Sequence, residues 1–217
     1  MPTRTPPRAQ PTTARALLFV GGLILALSAP ISESQASPAP DLISGLTRDA
    51  KNGDRDAQFS LASAFDSGHG VEQDLKAAAY WYAESARRGH LEGLFSLAVL
   101  VEEGVTPDNV TEGASTLYAR AARRGHAGAA NNLGRLFAEG GSVEQDYSEA
   151  AHWFARAAEH NHPEACHNLG LLNELGLIEN ASREAAITWY RRALPHYPPS
   201  RDALIRLSKP APDNARP

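Results

Sequence analysis

The sequence predicts an all-α solenoid of four helix-turn-helix repeats, each 36 residues long, with a half-repeat helix at each end. Three observations lead to this prediction. Residues 71–90 and 143–162 share V-E-Q-D, a double alanine, a tryptophan followed by an aromatic residue, and a final histidine. Sliding the chain against itself by 36 residues aligns further columns without any insertion. Each unit also contains two stretches whose apolar residues recur at helical spacing.

Each aligned column holds similar residues in most or all of the copies. The clearest columns are bulky (Trp81, Leu117, Trp153, Trp189), aromatic (Tyr82, Tyr118, Phe154, Tyr190), leucine (Leu61, Leu97, Leu133, Leu169) and glycine (Gly68, Gly104, Gly140, Gly176). A fixed period of this length is typical of repeats that bury their core only by stacking on their neighbours. We therefore expect the leucine and aromatic columns to form the core.

Each unit is predicted to contain a helix A followed by a helix B. In the first copy, helix A covers 56–67, and Gly68 ends it because glycine readily adopts the left-handed conformation. Helix B follows Asp74, whose carboxylate can accept hydrogen bonds from free backbone amides. In the third copy Asp146 takes this capping role, and we expect Glu149 to complete a capping box.

Both ends of the repeat array are predicted to be half-repeats. Residues 41–53 are in register with helix B, and Ala50 falls in the column of the buried alanines of that helix. Residues 200–208 are in register with helix A, where Ile205 takes the leucine column. The solenoid therefore begins with half a repeat and ends with the other half.

The first 36 residues are predicted to be a secretory signal peptide. Three arginines precede an apolar stretch at 16–30, and the small residues Ser34 and Ala36 fit the −3 and −1 positions of a cleavage site. The apolar stretch is 15 residues long, shorter than the roughly 20 residues of a membrane span. An uncleaved anchor is the alternative. We expect a periplasmic or secreted protein with no membrane span after cleavage.

Composition excludes some classes of function. The formal net charge is −4 and the chain has no run of lysine and arginine, so no nucleic-acid partner is predicted. Cys166 is the single cysteine, so no intrachain disulfide can form. We assign 37–208 to one solenoid domain. The polar, proline-rich residues 209–217 are predicted to be a disordered tail.

The repeated motifs resemble the Sel-one-like repeat (SLR) family of tetratricopeptide-like α-solenoids. The resemblance rests on A-x-x-x-L-G at 129–134 and 165–170, G-x-G-V-x-x-D at 68–74, and A-x-x-W-Y-x-x-x-A-x-x-G at 78–89. The second and fourth copies depart from it, because neither has the capping aspartate before helix B. The resemblance implies a non-enzymatic adaptor or regulator that binds a protein or peptide partner in the cell envelope.

The resemblance also implies that helix A lines the concave side of the solenoid, where a partner would bind. Our candidate partner-binding residues are Phe59, Ser63, Asp66, Phe95, Val99, Glu102, Asn131, Asn132, Arg135, His167 and Asn168. Phe59 and Phe95 could anchor a partner side chain, or they could pack between adjacent A helices. Arg135, beside Asn131 and Asn132, could bind a peptide carboxylate.

We predict no catalytic residue, no metal site and no cofactor. His160, His162, Cys166 and His167 are of metal-ligand types and lie close together in sequence. However, His162 belongs to a repeated column, so we attribute its position to the repeat. The chain has none of the common motifs for a serine nucleophile, a zinc protease or a phosphate loop.

Two alternative functions stay open. The sequence A-R-R-G-H at 86–90 and 122–126 places an arginine pair in the last turn of helix B, where it complements the helix dipole. The same arginines could instead recruit an acidic polysaccharide, which makes a polysaccharide-binding envelope scaffold the first alternative. A less favoured alternative is an envelope enzyme that acts on peptidoglycan or a β-lactam.

Overall fold

The computed structural model describes residues 40–209, and this part of the chain folds into ten α-helices without a strand. The helices are α1 (Pro40–Lys51), α2 (Arg55–Ser67), α3 (Leu75–Arg87), α4 (Leu91–Glu102), α5 (Ala114–Arg123), α6 (Ala127–Glu139), α7 (Tyr147–Glu159), α8 (Pro163–Glu174), α9 (Arg183–Ala193) and α10 (Pro199–Ser208). None of them is long and apolar enough to cross a membrane. The predictions for 1–36 and for 210–217 lie outside the described residues.

The helices alternate between two layers, as the repeat predicts. The four A helices are α2, α4, α6 and α8, and we call them the A layer. The four B helices, α3, α5, α7 and α9, form the B layer, while α1 precedes the array as a B-type helix and α10 follows it as an A-type helix. Each A helix packs on its own B helix, and each B helix packs on the next A helix. The predicted all-α solenoid class is confirmed.

The A helices begin at two kinds of residue. Asp54 caps α2, because its carboxylate accepts hydrogen bonds from two backbone amides of the first turn. In the same column, His90, His126 and His162 cap the next three A helices. Each imidazole Nδ1 accepts from the backbone N–H three residues later, at 3.0, 3.0 and 3.4 Å respectively. Each of these imidazoles therefore leaves Nδ1 unprotonated.

The B helices begin largely as predicted. Asp74 and Asp146 cap α3 and α7 through their carboxylates, which confirms both predictions. The capping box at Glu149 is wrong, because the backbone N–H of Asp146 donates to the carbonyl of Phe137 at 2.9 Å and is not free for a side chain. The second copy does lack a cap, since Gly113 makes no side-chain hydrogen bond at the start of α5.

Close approach of helix A and helix B creates the core. A Cβ atom built on Gly134 would lie 2.7 Å from Cδ1 of Phe154, and one built on Gly170 would lie 2.7 Å from Cδ1 of Tyr190. Only glycine therefore fits at these two positions without movement of the aromatic ring. The predicted core columns are confirmed, with exposures of 1% for Leu61, 3% for Leu97, 2% for Leu133 and 4% for Leu169.

The C-terminal half-repeat departs from the predicted register. Ile205 is 53% exposed, so the prediction that it occupies the leucine column of the core is wrong. Before α2, α4, α6 and α8, the turn contains a residue with positive φ: Gly53, Gly89, Gly125 or Asn161. The equivalent residue before α10 is Tyr197, a residue type that rarely adopts this conformation, and its φ is not positive. Helix α10 therefore packs through Ala203 against Tyr190 instead.

Candidate functional site

A hydrogen bond between helix B and the end of helix A recurs along the A layer. The hydroxyl of Tyr82 donates to Asp66 at 3.1 Å, and that of Tyr118 donates to Glu102 at 2.7 Å. Tyr190 donates to Glu174 in the same way, at 2.7 Å. In the third repeat the equivalent residues are Phe154 and Ala138, so the donor and the acceptor are both missing. Their joint absence leaves no buried polar group without a partner.

The tyrosines of these pairs remain protonated donors at neutral pH. Burial raises the pKa of Tyr82 to about 12, and the nearby charge of Asp66 adds to this effect. Burial also raises the pKa of Tyr118 and Tyr190, with hydrogen bonds to Glu102 and Glu174 as the next largest causes. A phenol that keeps its proton can donate to a carboxylate without electrostatic conflict.

One arginine bridges two neighbouring A helices. The guanidinium of Arg135 on α6 forms an ion pair with Glu102 on α4, and its Nη1 lies 2.8 Å from Oε2 of Glu139. Asn132 donates to the hydroxyl of Tyr118 at 3.2 Å. We call Glu102, Tyr118, Arg135 and Glu139 the arginine clamp. Burial alone would lower the pKa of Arg135, but the hydrogen bond and charges of the two carboxylates outweigh it, so the pKa is raised.

The clamp bears on the predicted role of Arg135. A peptide carboxylate would compete with Glu102 and Glu139, which already accept from Nη2 and Nη1 of this guanidinium. Asn131 is 2% exposed, and its side-chain oxygen accepts from Asn168 at 3.3 Å. Binding of a partner carboxylate at Arg135 therefore stays a prediction with strong internal competition.

The two candidate anchor phenylalanines contact the cap of the next repeat. Phe59 stacks on the imidazole of His90, and Phe95 stacks on that of His126, both with ring centroids 4.3 Å apart. Both phenylalanines are half-buried. One ring face of each is thus occupied by packing between repeats, while a role as partner anchors stays a prediction.

The remaining candidate residues differ in accessibility. Ser63 is exposed, whereas Asp66 and Val99 are half-buried. His167 lies 3.0 Å from the hydroxyl of Ser200 and contacts the rings of Tyr190 and Tyr197, so it joins α8 to α9 and to the start of α10. Burial lowers the pKa of His167 to about 4, with a smaller effect from the charge of Arg206. This histidine is therefore neutral at pH 7.

The two layers carry opposite excess charge. Helices α2, α4, α6 and α8 contain seven acidic residues and two arginines. Helices α3, α5, α7 and α9 contain eight basic residues and four acidic ones. No A helix has a basic residue in its last turn, whereas every B helix has one. Counting charge helix by helix in the repeat frame would have revealed this pattern from the sequence.

Most of the paired arginines of helix B are engaged within the fold. Arg88 donates to the carbonyl of Gly53 at 2.9 Å, and Arg124 makes the equivalent bond to Gly89 at 2.7 Å. Each bond spans 35 residues and ties one repeat to the turn of the repeat before it. Arg87 pairs with Glu84 on its own helix. These contacts reduce the charge available to an acidic polysaccharide.

The cluster of histidines around the cysteine also has structural roles. His162 caps α8, and Cys166 is buried with 1% exposure. Burial raises the pKa of the Cys166 thiol, and burial lowers the pKa of His162. Within 40–209, no three histidine, cysteine or acidic side chains are arranged to hold a metal ion.

The family model of the Sel1 repeat matches residues 55–90, 91–126, 127–162 and 163–194. These four matches cover more than half of the chain, and the chain belongs to the Sel1 repeat family. Sel1 repeat proteins are generally protein-interaction scaffolds, and their fold is typically that of a non-enzymatic adaptor. No curated protein matches the chain.

Two solved structures share the fold. A protective antigen present in uropathogenic Escherichia coli strains, which displays an SLR fold, has a TM-score of 0.71 and 24% identity, over 78% of this chain and 37% of the antigen. A Sel1 repeat protein from Oxalobacter formigenes has a TM-score of 0.66 and 23% identity, over 76% of this chain and 74% of that protein. The chain thus corresponds to little more than a third of the antigen. Similarity at this identity establishes the fold alone.

Proposed function

We propose that this chain is a non-enzymatic adaptor that binds a protein or peptide partner on the exposed face of its A layer. The observation that carries the proposal is the separation of charge between the two layers, which gives the A layer seven acidic residues against two arginines. A surface of one sign selects partners of the opposite sign and speeds their association. Four repeats side by side extend that surface along the whole domain.

A non-enzymatic role is supported by what the titratable groups of the A layer already do. Glu102, Glu139 and Glu174 bind an arginine or a tyrosine of the same chain. His126 and His162 cap helices through Nδ1. These structural contacts account for the side chains that would otherwise be the first candidates for acid–base catalysis.

We further propose that the partner belongs to the cell envelope and that the protein is periplasmic or secreted. The support is the sequence of the first 36 residues, with arginines, an apolar stretch at 16–30 and small residues before the expected cleavage site. Expression of the full sequence, followed by fractionation and N-terminal sequencing, tests this. An N-terminus at Ser37 in the periplasm or medium is expected, and an intact N-terminus in the cytoplasm would contradict it.

Blocking the A-layer face with bulk tests the adaptor proposal. Ser63→Tyr and Leu171→Tyr together place uncharged bulk on the A helices of the first and fourth repeats. Thr116→Tyr and Thr188→Tyr place the same bulk on exposed positions of two B helices, and this variant is the matched control. Envelope extract is passed over immobilised wild type and both variants, and binding of each retained protein is then measured in purified form.

The proposal expects a protein that the wild type and the B-layer variant retain and that the A-layer variant loses, at equal far-UV circular dichroism. Equal binding to all three proteins would contradict binding on the A layer. A protein that only the B-layer variant fails to retain would indicate that the partner binds to the B layer.

A further inference from the structure

The arginine clamp has an incomplete counterpart one repeat earlier. Moving each residue of the clamp back by 36 positions gives Asp66 for Glu102, Tyr82 for Tyr118, Glu103 for Glu139 and Val99 for Arg135. Both carboxylates and the tyrosine are therefore present at the junction between the first and second repeats. The guanidinium between them is the missing part, because a valine stands in its place.

One hydrogen bond of the clamp recurs in this counterpart. Tyr82 donates to Asp66 at 3.1 Å, as Tyr118 donates to Glu102. Ser96 takes the position of Asn132. In the repeat frame, Asp66 and Glu103 occupy the positions of Glu102 and Glu139, the two carboxylates that hold Arg135. We call Asp66, Tyr82, Val99 and Glu103 the open position.

No cation of the described residues neutralises the open position. Among residues 40–209, neither Asp66 nor Glu103 forms an ion pair. Asp66 lies in the last turn of α2, which contains no basic residue, and the end of a helix is itself the negative end of its dipole. The negative charge here is therefore larger than the two carboxylates alone would give.

The junction that follows the arginine clamp shows that unmatched carboxylates are not a requirement of the fold. Between the third and fourth repeats, Ala138, Leu171 and Leu175 stand at the positions of Glu102, Arg135 and Glu139. That junction carries neither the acids nor the base, and it has no charge to match. The first junction keeps both acids without the base, although an apolar set is compatible with the same stacking.

We propose that the open position is a docking subsite for an arginine side chain of the partner protein, which completes the arrangement that Arg135 completes internally. This inference rests on the proposed adaptor function and specifies the chemistry of its partner. Two carboxylates suit the planar fork of a guanidinium better than they suit the point charge of a lysine. Val99, which is half-buried on α4, offers apolar surface to the methylene groups of the arginine.

Peptide binding measured by NMR tests the subsite. The probe is acetyl-Ala-Leu-Arg-Leu-Ala-amide, titrated into isotope-labelled protein purified after expression of the full sequence. The matched peptide carries citrulline, which keeps the shape of arginine without its charge. We expect the arginine peptide to shift the Asp66 and Glu103 amide signals and the Val99 methyl signals, with affinity at least tenfold higher than that of the citrulline peptide. Raising the salt concentration should weaken binding of the arginine peptide only.

Three further variants separate the charge at this position from charge elsewhere on the protein. V99R supplies the chain's own guanidinium, and we expect it to lower affinity for the arginine peptide at least tenfold. T116R adds the same side chain at an exposed position of α5, outside the A layer, and should bind as the wild type does. D66N/E103Q should lose binding without any added side chain.

The outcomes distinguish this inference from the proposed function. Equal affinity for both peptides, undiminished binding by V99R, or no shift with either peptide would overturn the arginine subsite. The adaptor proposal would survive that result if the S63Y/L171Y variant still loses a protein that the wild type retains. If no variant loses binding of the arginine peptide or of a protein, both the arginine subsite and the adaptor proposal are contradicted.

Discussion

Two junctions of the solenoid place a tyrosine and two carboxylates at equivalent positions. The junction between the second and third repeats has an arginine with them, and the junction between the first and second repeats does not. At the later junction, Arg135 lies between Glu102 and Glu139 and forms an ion pair with each. In the earlier one, Asp66 and Glu103 flank Val99, and the charge stays unmatched. The comparison teaches that the residue beside the two carboxylates, arginine or valine, decides whether they are paired within the chain or stay open to a cation from a partner.

The largest expected effect comes from the core that both junctions share. Leu133→Ala should lower the free energy of unfolding by about 2–5 kcal/mol, because the leucine is buried and its removal leaves a cavity. Urea unfolding followed by circular dichroism measures this. A midpoint equal to that of wild type would contradict the assignment of the leucine column to the core. It would also contradict the repeat register on which the comparison of the two junctions depends.

Removing the guanidinium of the arginine clamp should lower the free energy of unfolding by less than removing a core leucine does. Arg135→Met keeps the apolar stem but leaves Glu102 and Glu139 without their cation, and we expect a loss of about 1–3 kcal/mol in unfolding free energy. Val99→Met is the matched control at the open position, where no ion pair exists to be lost. Similar stabilities for the two variants would contradict the bracing role of Arg135.

Substitutions between tyrosine and phenylalanine test the hydrogen bond that joins helix B to the end of helix A. Tyr118→Phe should cost about 0.5–1.5 kcal/mol, since Glu102 loses one donor and keeps Arg135. Phe154→Tyr places a hydroxyl opposite Ala138, which offers no acceptor in its side chain, and should also destabilise. Adding Ala138→Glu to Phe154→Tyr should recover part of that loss. Failure of this rescue would argue against a paired tyrosine–carboxylate unit.

A smaller and pH-dependent effect is expected at the last repeat. Burial lowers the pKa of His167 from 6.5 to about 4 in the folded protein. The unfolded chain therefore binds the proton more readily, so stability is fully present above about pH 6.5 and declines as the pH falls towards 4. His167→Asn, which can still bond to Ser200, should flatten the pH dependence of urea unfolding in this window. An unchanged slope would assign the loss to another group.

The sequence predicted the features that depend on the period alone. The leucine column, the aspartate caps of α3 and α7 and the helix order follow from residue type and spacing, and they are confirmed. Ile205 was misplaced because register was extended past Tyr197, where the chain lacks a residue suited to positive φ. The histidine caps were missed, since the common capping residues are serine, threonine, aspartate and asparagine.

The candidate site was harder to predict because partners within the chain cannot be seen from one helix at a time. Arg135 was predicted to bind a peptide carboxylate, whereas Glu102 on the neighbouring helix α4 and Glu139 on its own helix already pair with it. The repeat frame does contain the information, because Glu102 and Glu139 occupy defined columns. Comparison of whole sets of columns shows that Val99 stands between two acidic columns without the base that Arg135 supplies one repeat later.

A double-mutant cycle at the open position tests the central claim most directly. Urea unfolding is measured for wild type, V99R, D66N and the double variant, and the coupling free energy between the two substitutions is extracted. If the first junction is the arginine clamp without its arginine, the cycle should show a favourable coupling of about 0.5–1 kcal/mol between the introduced guanidinium and the carboxylate of Asp66. The same cycle with L171R and D66N should give zero. Zero coupling in the V99R cycle would contradict the claim that the two junctions share one arrangement.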